Sequence, residues 1–135
     1  MSRPLASSRL TAAALFFLMV LGPLGVSAAD AGTLSSSALN PAGTEQLFRC
    51  MIVNLGKKPA TVTFSIIGFT SGNPVAGPTE RTIDPGEGGS LTARSSEFTY
   101  CKVERVSKKN ARGSFTLEED LGGNNFVTTL SVPLQ

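Results

Sequence analysis

Apolar and polar side chains alternate with a period of two along most of the chain after residue 45. In residues 46–54, one face carries Phe48, Cys50 and Ile52. The opposite face is also apolar, through Leu47, Met51 and Val53. Apolar residues on both faces are typical of a central strand whose back is covered. Residues 60–69 instead alternate apolar side chains with Thr and Ser, which predicts a strand with one wet face.

Turn-forming residues divide the rest of the chain into short segments. Strands are predicted at 80–83, 90–94, 97–106, 111–118 and 126–132, and the Gly- and Pro-rich residues 71–78 are predicted to be a loop. The short turns at 54–59 and 107–110 predict two hairpins, each joining the strands on either side. No stretch after residue 29 has the periodicity of an amphipathic helix. The pattern therefore predicts an all-β antiparallel sandwich.

The first 29 residues have the three zones of a signal peptide. Two arginines precede an apolar run at 10–21, and small residues at 26–29 suit cleavage after Ala28 or Ala29. A retained membrane anchor is the alternative, although Gly and Pro interrupt the run after residue 21. The sequence thus predicts a signal peptide at 1–29, an N-terminal segment at 30–45 that is either mobile or a first strand, and a sandwich domain at 46–135. Such a protein is exported to the periplasm or the medium, with no membrane span after cleavage.

Removal of the signal changes the charge of the chain. The whole sequence has 12 Lys and Arg against 10 Asp and Glu. Arg3 and Arg9 leave with the signal, whereas every acid lies at or after Asp30, so ten basic residues face ten acids in the mature protein. A neutral chain has no overall field that attracts nucleic acid or an anionic membrane, and binding of that kind needs a local patch.

Cys50 and Cys101 are the two cysteines of the chain. In an oxidising compartment they are expected to form one disulfide, and the alternative is a redox or metal-binding pair. Cys101 shares a strand face with Thr99 and Val103, as Cys50 does with Phe48, so the bond is expected to join two sheets across a core. Closing a loop of about 50 residues contributes about 4 kcal/mol in the chain-entropy treatment.

Three parts of the chain are similar to bacterial secreted immunoglobulin-like domains. They are the turn at 53–56 before a β-branched strand, the turn at 83–87, and the cysteine pair. The resemblance implies an antiparallel immunoglobulin-like β-sandwich with one inter-sheet disulfide. Antibody-type domains also pack a Trp on the disulfide and place a Tyr two residues before the second Cys. This chain has no Trp, and Tyr100 directly precedes Cys101, so the resemblance carries over the architecture and no binding site.

The composition argues against catalysis and against cofactor or metal binding. The chain has no His, and its cysteines are expected to be bonded, which removes the commonest bases, nucleophiles and metal ligands. No phosphate loop or zinc-spaced ligand set is present. An acidic run at 118–120 followed by Asn124 and Asn125 has the oxygen ligands that Ca²⁺ prefers, but acids beside Gly-Gly are also normal turn formers. The sequence predicts a non-enzymatic protein without a cofactor.

A basic cluster surrounds the second predicted hairpin. Its members are Lys102, Arg105, Lys108, Lys109 and Arg112. An exposed basic tip can bind a phosphate, a polyanionic glycan or a lipid head group. The alternative is a solvated turn whose lysines protect strand ends from edge pairing. Nucleic acid is not expected as a partner, because few aromatic side chains are left to stack on bases.

These observations predict a secreted, non-catalytic binding or structural module of the bacterial envelope. Its partner is then an envelope protein or a surface polymer. The alternative is a small secreted enzyme inhibitor or an envelope-stress factor that acts through a loop.

Overall fold

Eight β-strands and no α-helix make up the described part of the protein. The computed structural model describes residues 31–42, 45–123 and 125–135. The predicted signal peptide lies outside these residues. Within the described ranges, no helix is long and apolar enough to cross a membrane.

The strands form two four-stranded antiparallel sheets. Their bounds are β1 Gly32–Ser35, β2 Gln46–Asn54, β3 Ala60–Gly68, β4 Pro74–Ile83, β5 Gly88–Ser95, β6 Thr99–Val106, β7 Ala111–Asp120 and β8 Phe126–Pro133. The first sheet has the order β1-β6-β3-β4, and the second has the order β5-β2-β7-β8. The segment 30–45 therefore contains β1, an edge strand of the first sheet.

The inward faces of both sheets form one apolar core. Phe48 of β2 stacks on Phe115 of β7, with ring centroids 5.6 Å apart. Cys50 of β2 and Cys101 of β6 are fully buried and bonded to each other, and their Cα atoms are 5.7 Å apart. Because β2 and β6 lie in different sheets, the disulfide joins the sheets. The predicted all-β antiparallel sandwich with one inter-sheet disulfide is confirmed.

Both predicted hairpins are wrong. β2 lies between β5 and β7, whereas β3 lies between β4 and β6, so residues 55–59 cross from one sheet to the other. Residues 107–110 cross back in the same way between β6 and β7. Packed sheets are about 10 Å apart, and four or five extended residues span that distance, so a short turn is compatible with either connection. In antibody-type domains the strand after the second cysteine strand stays in its sheet; here β7 pairs with β2 instead.

The predicted loop at 71–78 is too long, because β4 already begins at Pro74. The pairing of β4 with β3 continues through two irregularities, near Ile66. Gly77 lies there with a φ of +82°, and a Cβ on it would lie 2.5 Å from the carbonyl oxygen of Phe64. A glycine at this position therefore lets the strand stay paired through a stretch whose composition is typical of a loop.

Candidate ligand-binding site between two lysine-bearing connections

Three connections cross between the sheets at one end of the sandwich, and two of them, 55–59 and 107–110, lie side by side. The backbone N–H of Leu55 in the first donates to the carbonyl oxygen of Asn110 in the second, at 2.7 Å. Each connection carries two consecutive lysines, at 57–58 and 108–109. The turn at 84–87 adjoins them, since the Gly86 N–H donates to the Asn54 carbonyl at 2.7 Å. We call the surface formed by 55–59, 84–87, 107–110 and Arg112 the lysine end.

The side chain of Asn54 fixes the shape of the lysine end. This buried amide donates to the carbonyl oxygens of Lys58 at 2.8 Å and of Ile83 at 2.9 Å. Its oxygen accepts from the backbone N–H of Gly56 at 2.9 Å. Through these hydrogen bonds, the Asn54 side chain fixes the turn of the first connection and joins that connection to the end of β4. The amide meets its hydrogen-bonding capacity within the fold, which leaves the recognition of a ligand to its neighbours.

A pocket of about 490 Å³ opens between the connections. Its floor is formed by inward-facing apolar side chains of both sheets, namely Ile52, Val62, Ile83, Val106 and Ala111. Lys57, Lys58, Ser107 and Asn110 contribute to its rim. The volume is within the range of about 300–1,000 Å³ that small-molecule sites occupy, and an apolar lining with a few polar groups is typical of such sites.

Two of the five basic residues singled out in the sequence are held in ion pairs on the outer face of the first sheet. The Lys102 Nζ lies 2.8 Å from the Glu104 Oε1, and the Arg105 Nη1 lies 2.8 Å from the Glu80 Oε2. Arg105 has a φ of +61° and occupies an irregularity in the pairing of β6 with β1. These two side chains are therefore partly neutralised by their neighbours.

The other three lie at the lysine end. Arg112 donates through its Nη1 to the carbonyl oxygens of Ala111 at 2.7 Å and of Lys108 at 3.1 Å, so it braces the second connection. Lys108 and Lys109 are exposed and form no ion pair with a described residue. Their charges are available to an anion from solution.

Sequence analysis missed Lys57 and Lys58. The only signal in the sequence is a second Lys-Lys pair in a short polar turn, and nothing local links positions 57–58 to 108–109. The topology joins them, because both connections cross between the sheets at the same end. Together with Arg112 they give five basic residues against the two carboxylates of Asp84 and Glu87, an excess of three positive charges.

The acidic run is engaged away from the lysine end. Both carboxylate oxygens of Glu118 lie 2.9 Å from guanidinium nitrogens of Arg49. Asp120 accepts from the Gly122 N–H at 2.8 Å and pairs with Arg94 at 3.0 Å. The Gly122 hydrogen bond and then Arg94 lower the pKa of the Asp120 carboxyl. Among the described residues, no group of three or more metal-ligating side chains is assembled, and Asn124 lies outside them.

No protein-family model matches the chain, and no curated protein matches it. Among solved structures, the chain is similar to the crystal structure of Thermotoga maritima 1070, with 16% sequence identity and a TM-score of 0.48. The match covers 79% of this chain and 95% of that chain. The function has to be argued from the residues of the site.

Proposed function

We propose that the protein is an exported, non-catalytic binding module of the bacterial envelope, and that its lysine end binds an anionic ligand. The observation that carries this proposal is the convergence of two Lys-Lys connections around one pocket. Lys57 and Lys58 line the pocket, and Lys108 and Lys109 lie between Ser107 and Asn110 on its other side. Two lysines in the pocket lining and two more on the adjoining connection attract an anion more strongly than isolated surface lysines do.

The lining supports binding rather than catalysis. Its described residues include no His, thiol or carboxylate, and Ser107 supplies its one side-chain hydroxyl. General acid–base or nucleophilic chemistry needs a base beside a nucleophile or two groups of matched pKa. The apolar floor and the lysines instead provide affinity and selectivity for charge.

Export is supported by the predicted signal and by the disulfide. Disulfides form and persist in oxidising compartments such as the bacterial periplasm. The bond between Cys50 and Cys101 lies in the core and joins the sheets, which is consistent with folding in such a compartment. Cleavage after Ala28 or Ala29 would leave a mature chain with no net charge. The lysine end would then be a positive region on a protein that is neutral as a whole.

A second candidate is the inhibitor or envelope-stress factor that acts through a loop. Two aromatic side chains at the opposite end favour it, because Phe69 is 67% exposed and Phe98 is 44% exposed. A backbone hydrogen bond of 2.7 Å from Phe69 to Phe98 joins their loops. Exposed aromatic side chains are common anchors of protein contacts. Inhibition of an envelope protease that Phe69→Ala abolishes and the lysine variants do not would favour this candidate.

The proposal is tested with inorganic polyphosphate as a probe for anions. Protein recovered from the periplasm or the medium should begin at Ala29 or Asp30 by N-terminal sequencing. Lys108→Glu combined with Lys109→Glu should weaken polyphosphate binding at least tenfold, as should the same exchange at Lys57 and Lys58. Binding should also weaken as salt rises from 50 to 500 mM, since salt screens exposed charges.

The matched control is Lys102→Glu combined with Arg105→Glu. This variant changes the net charge by the same amount as each lysine variant, but on the outer face of the first sheet. It should remain folded, because exposed ion pairs contribute only about 0–1 kcal/mol to stability. Its polyphosphate affinity should stay within about twofold of the wild type. Equal losses in the control and the lysine variants would show a non-specific charge effect and would contradict the proposal.

A further inference from the structure

We propose that the ligand of the lysine end is a single-chain anionic amphiphile, with its alkyl chain in the pocket and its anionic head on the lysines. This inference rests on the proposed function and specifies the class of ligand. Binding of a polyanion would involve the lysines but would not account for the apolar floor of the pocket. The pocket and the lysines together form a two-part site.

The pocket is suited to an alkyl chain because its floor belongs to the core. Ile52, Val62 and Ile83 are at most 4% exposed, and Val106 and Ala111 are at most 5% exposed. These side chains come from five different strands of both sheets. A chain in the pocket therefore lies against apolar side chains of both sheets, and each methylene that it buries there is stabilised by about 0.8 kcal/mol.

The head group would remain at the rim. Lys57 and Lys58 line the opening themselves, so their four-carbon stems can flank an entering chain while the ammonium groups stay in water. The second connection is hydrogen-bonded to the first beside the opening, and it carries Lys108, whose stem lies along Gly32 of β1, and Lys109. A phosphate or carboxylate at the end of the chain would meet positive charge from both connections.

The carboxylates of Asp84 and Glu87 reduce the positive charge of the lysine end without reversing its sign. They lie on the third connection of the lysine end, whose backbone is held against Asn54. A cationic head would be repelled by the remaining positive excess. An anionic head is favoured over a neutral one because only the anion gains from the excess of three positive charges.

Calorimetric titration with alkyl phosphates below their micellar concentrations tests this inference. The probes are inorganic phosphate, butyl phosphate and octyl phosphate, with octyl glucoside as the neutral amphiphile. Octyl phosphate should bind at least tenfold more tightly than butyl phosphate, since 0.8 kcal/mol per methylene corresponds to about fourfold in affinity for each fully buried group. Octyl glucoside should bind at least tenfold more weakly than octyl phosphate.

A variant that fills the pocket separates its role from that of the lysines. Ala60 lines the pocket and is half-buried, so Ala60→Leu should place extra carbon in the path of the chain. It should reduce the octyl phosphate affinity to that of butyl phosphate and leave polyphosphate binding unchanged. Ala76→Leu is the matched control, because Ala76 also packs on the core but lies outside the pocket lining. Thermal unfolding should show that both variants are folded.

The outcomes distinguish the two proposals. Lysine-dependent polyphosphate binding with no gain in affinity from butyl to octyl phosphate would overturn the amphiphile and leave the anion-binding module standing. Equal affinities for octyl glucoside and octyl phosphate would overturn it as well. If neither polyphosphate nor any alkyl phosphate depends on the lysines, both proposals fail. The chain-length series needs only the wild-type protein, so it decides the question even if the pocket variant does not fold.

Discussion

An ion pair between Arg49 and Glu118, rather than a further layer of described residues, shields part of the outer face of β2. Alternation predicted a covered back from its second apolar face, yet Leu47 and Met51 are half-buried and Val53 is 39% exposed. The side chain of Glu118 is 8% exposed and forms an ion pair with Arg49 on the outer face of the second sheet. The Thr116 hydroxyl lies 3.3 Å from the Glu118 Oε1. An ion pair shields part of the sheet that the sequence suggested a second layer would cover.

We predict that Glu118→Ala lowers the free energy of unfolding by about 1–3 kcal/mol, because Arg49 loses its ion-pair partner and one charged hydrogen bond on a partly buried surface. Glu119→Ala is the control, since Glu119 is the exposed neighbour and forms no ion pair with a described residue. Its effect should stay within about 0.5 kcal/mol. Urea unfolding at neutral pH measures both. Equal effects at the two positions would contradict this account of the pair.

At the scale of elements, the strands were largely predictable and their partners were not. The predicted 46–54 matches β2, and the predicted 111–118 and 126–132 end within two residues of β7 and β8. Alternation is a local property of the chain, and the burial of one face enforces it. Pairing is decided by contacts far apart in sequence, which is why the sequence predicts hairpins at two short turns that in fact cross between the sheets.

The candidate site, like the fold, was predictable only in its local features. Lys108 and Lys109 stand out in the sequence because they form a basic run in a turn. The pocket has no such signal in the sequence. Its floor is formed by side chains of β2, β3, β4, β6 and β7, which come together only when the two sheets pack on each other. A site built from the ends of many strands leaves no spacing motif in the sequence.

The crossing connections depend on Asn54, which makes three hydrogen bonds with backbone groups. We predict that Asn54→Ala destabilises the protein by about 2 kcal/mol or more, because buried backbone groups lose their partner. Asn73→Ala should cost less than about 0.5 kcal/mol, as Asn73 is exposed and the hydrogen bond it forms with the Ser71 hydroxyl is through its backbone N–H. Thermal and urea unfolding compare the two. A cost below 0.5 kcal/mol for Asn54→Ala would contradict the role given to this amide.

At the scale of the whole molecule, charge is divided between the two ends of the sandwich. The lysine end has an excess of three positive charges, whereas Glu45, Glu97 and Glu119 lie at or near the ends of strands at the other end. In the middle, Arg49, Lys102 and Arg105 are paired with carboxylates. A protein with little net charge can still be oriented by such a separation, with its lysine end toward an anionic surface or ligand.

The measurement that tests the central claim most directly is a map of backbone amide shifts in the ¹H–¹⁵N NMR spectrum during titration with octyl phosphate. The account predicts the largest shifts at 54–60 and 106–111, with little change at the opposite end in 69–73 and 96–98. Saturation should occur at one ligand per protein. Largest shifts at the exposed Phe69 and Phe98, or small shifts spread over the outer sheet faces, would contradict the claim that the lysine end is the binding site.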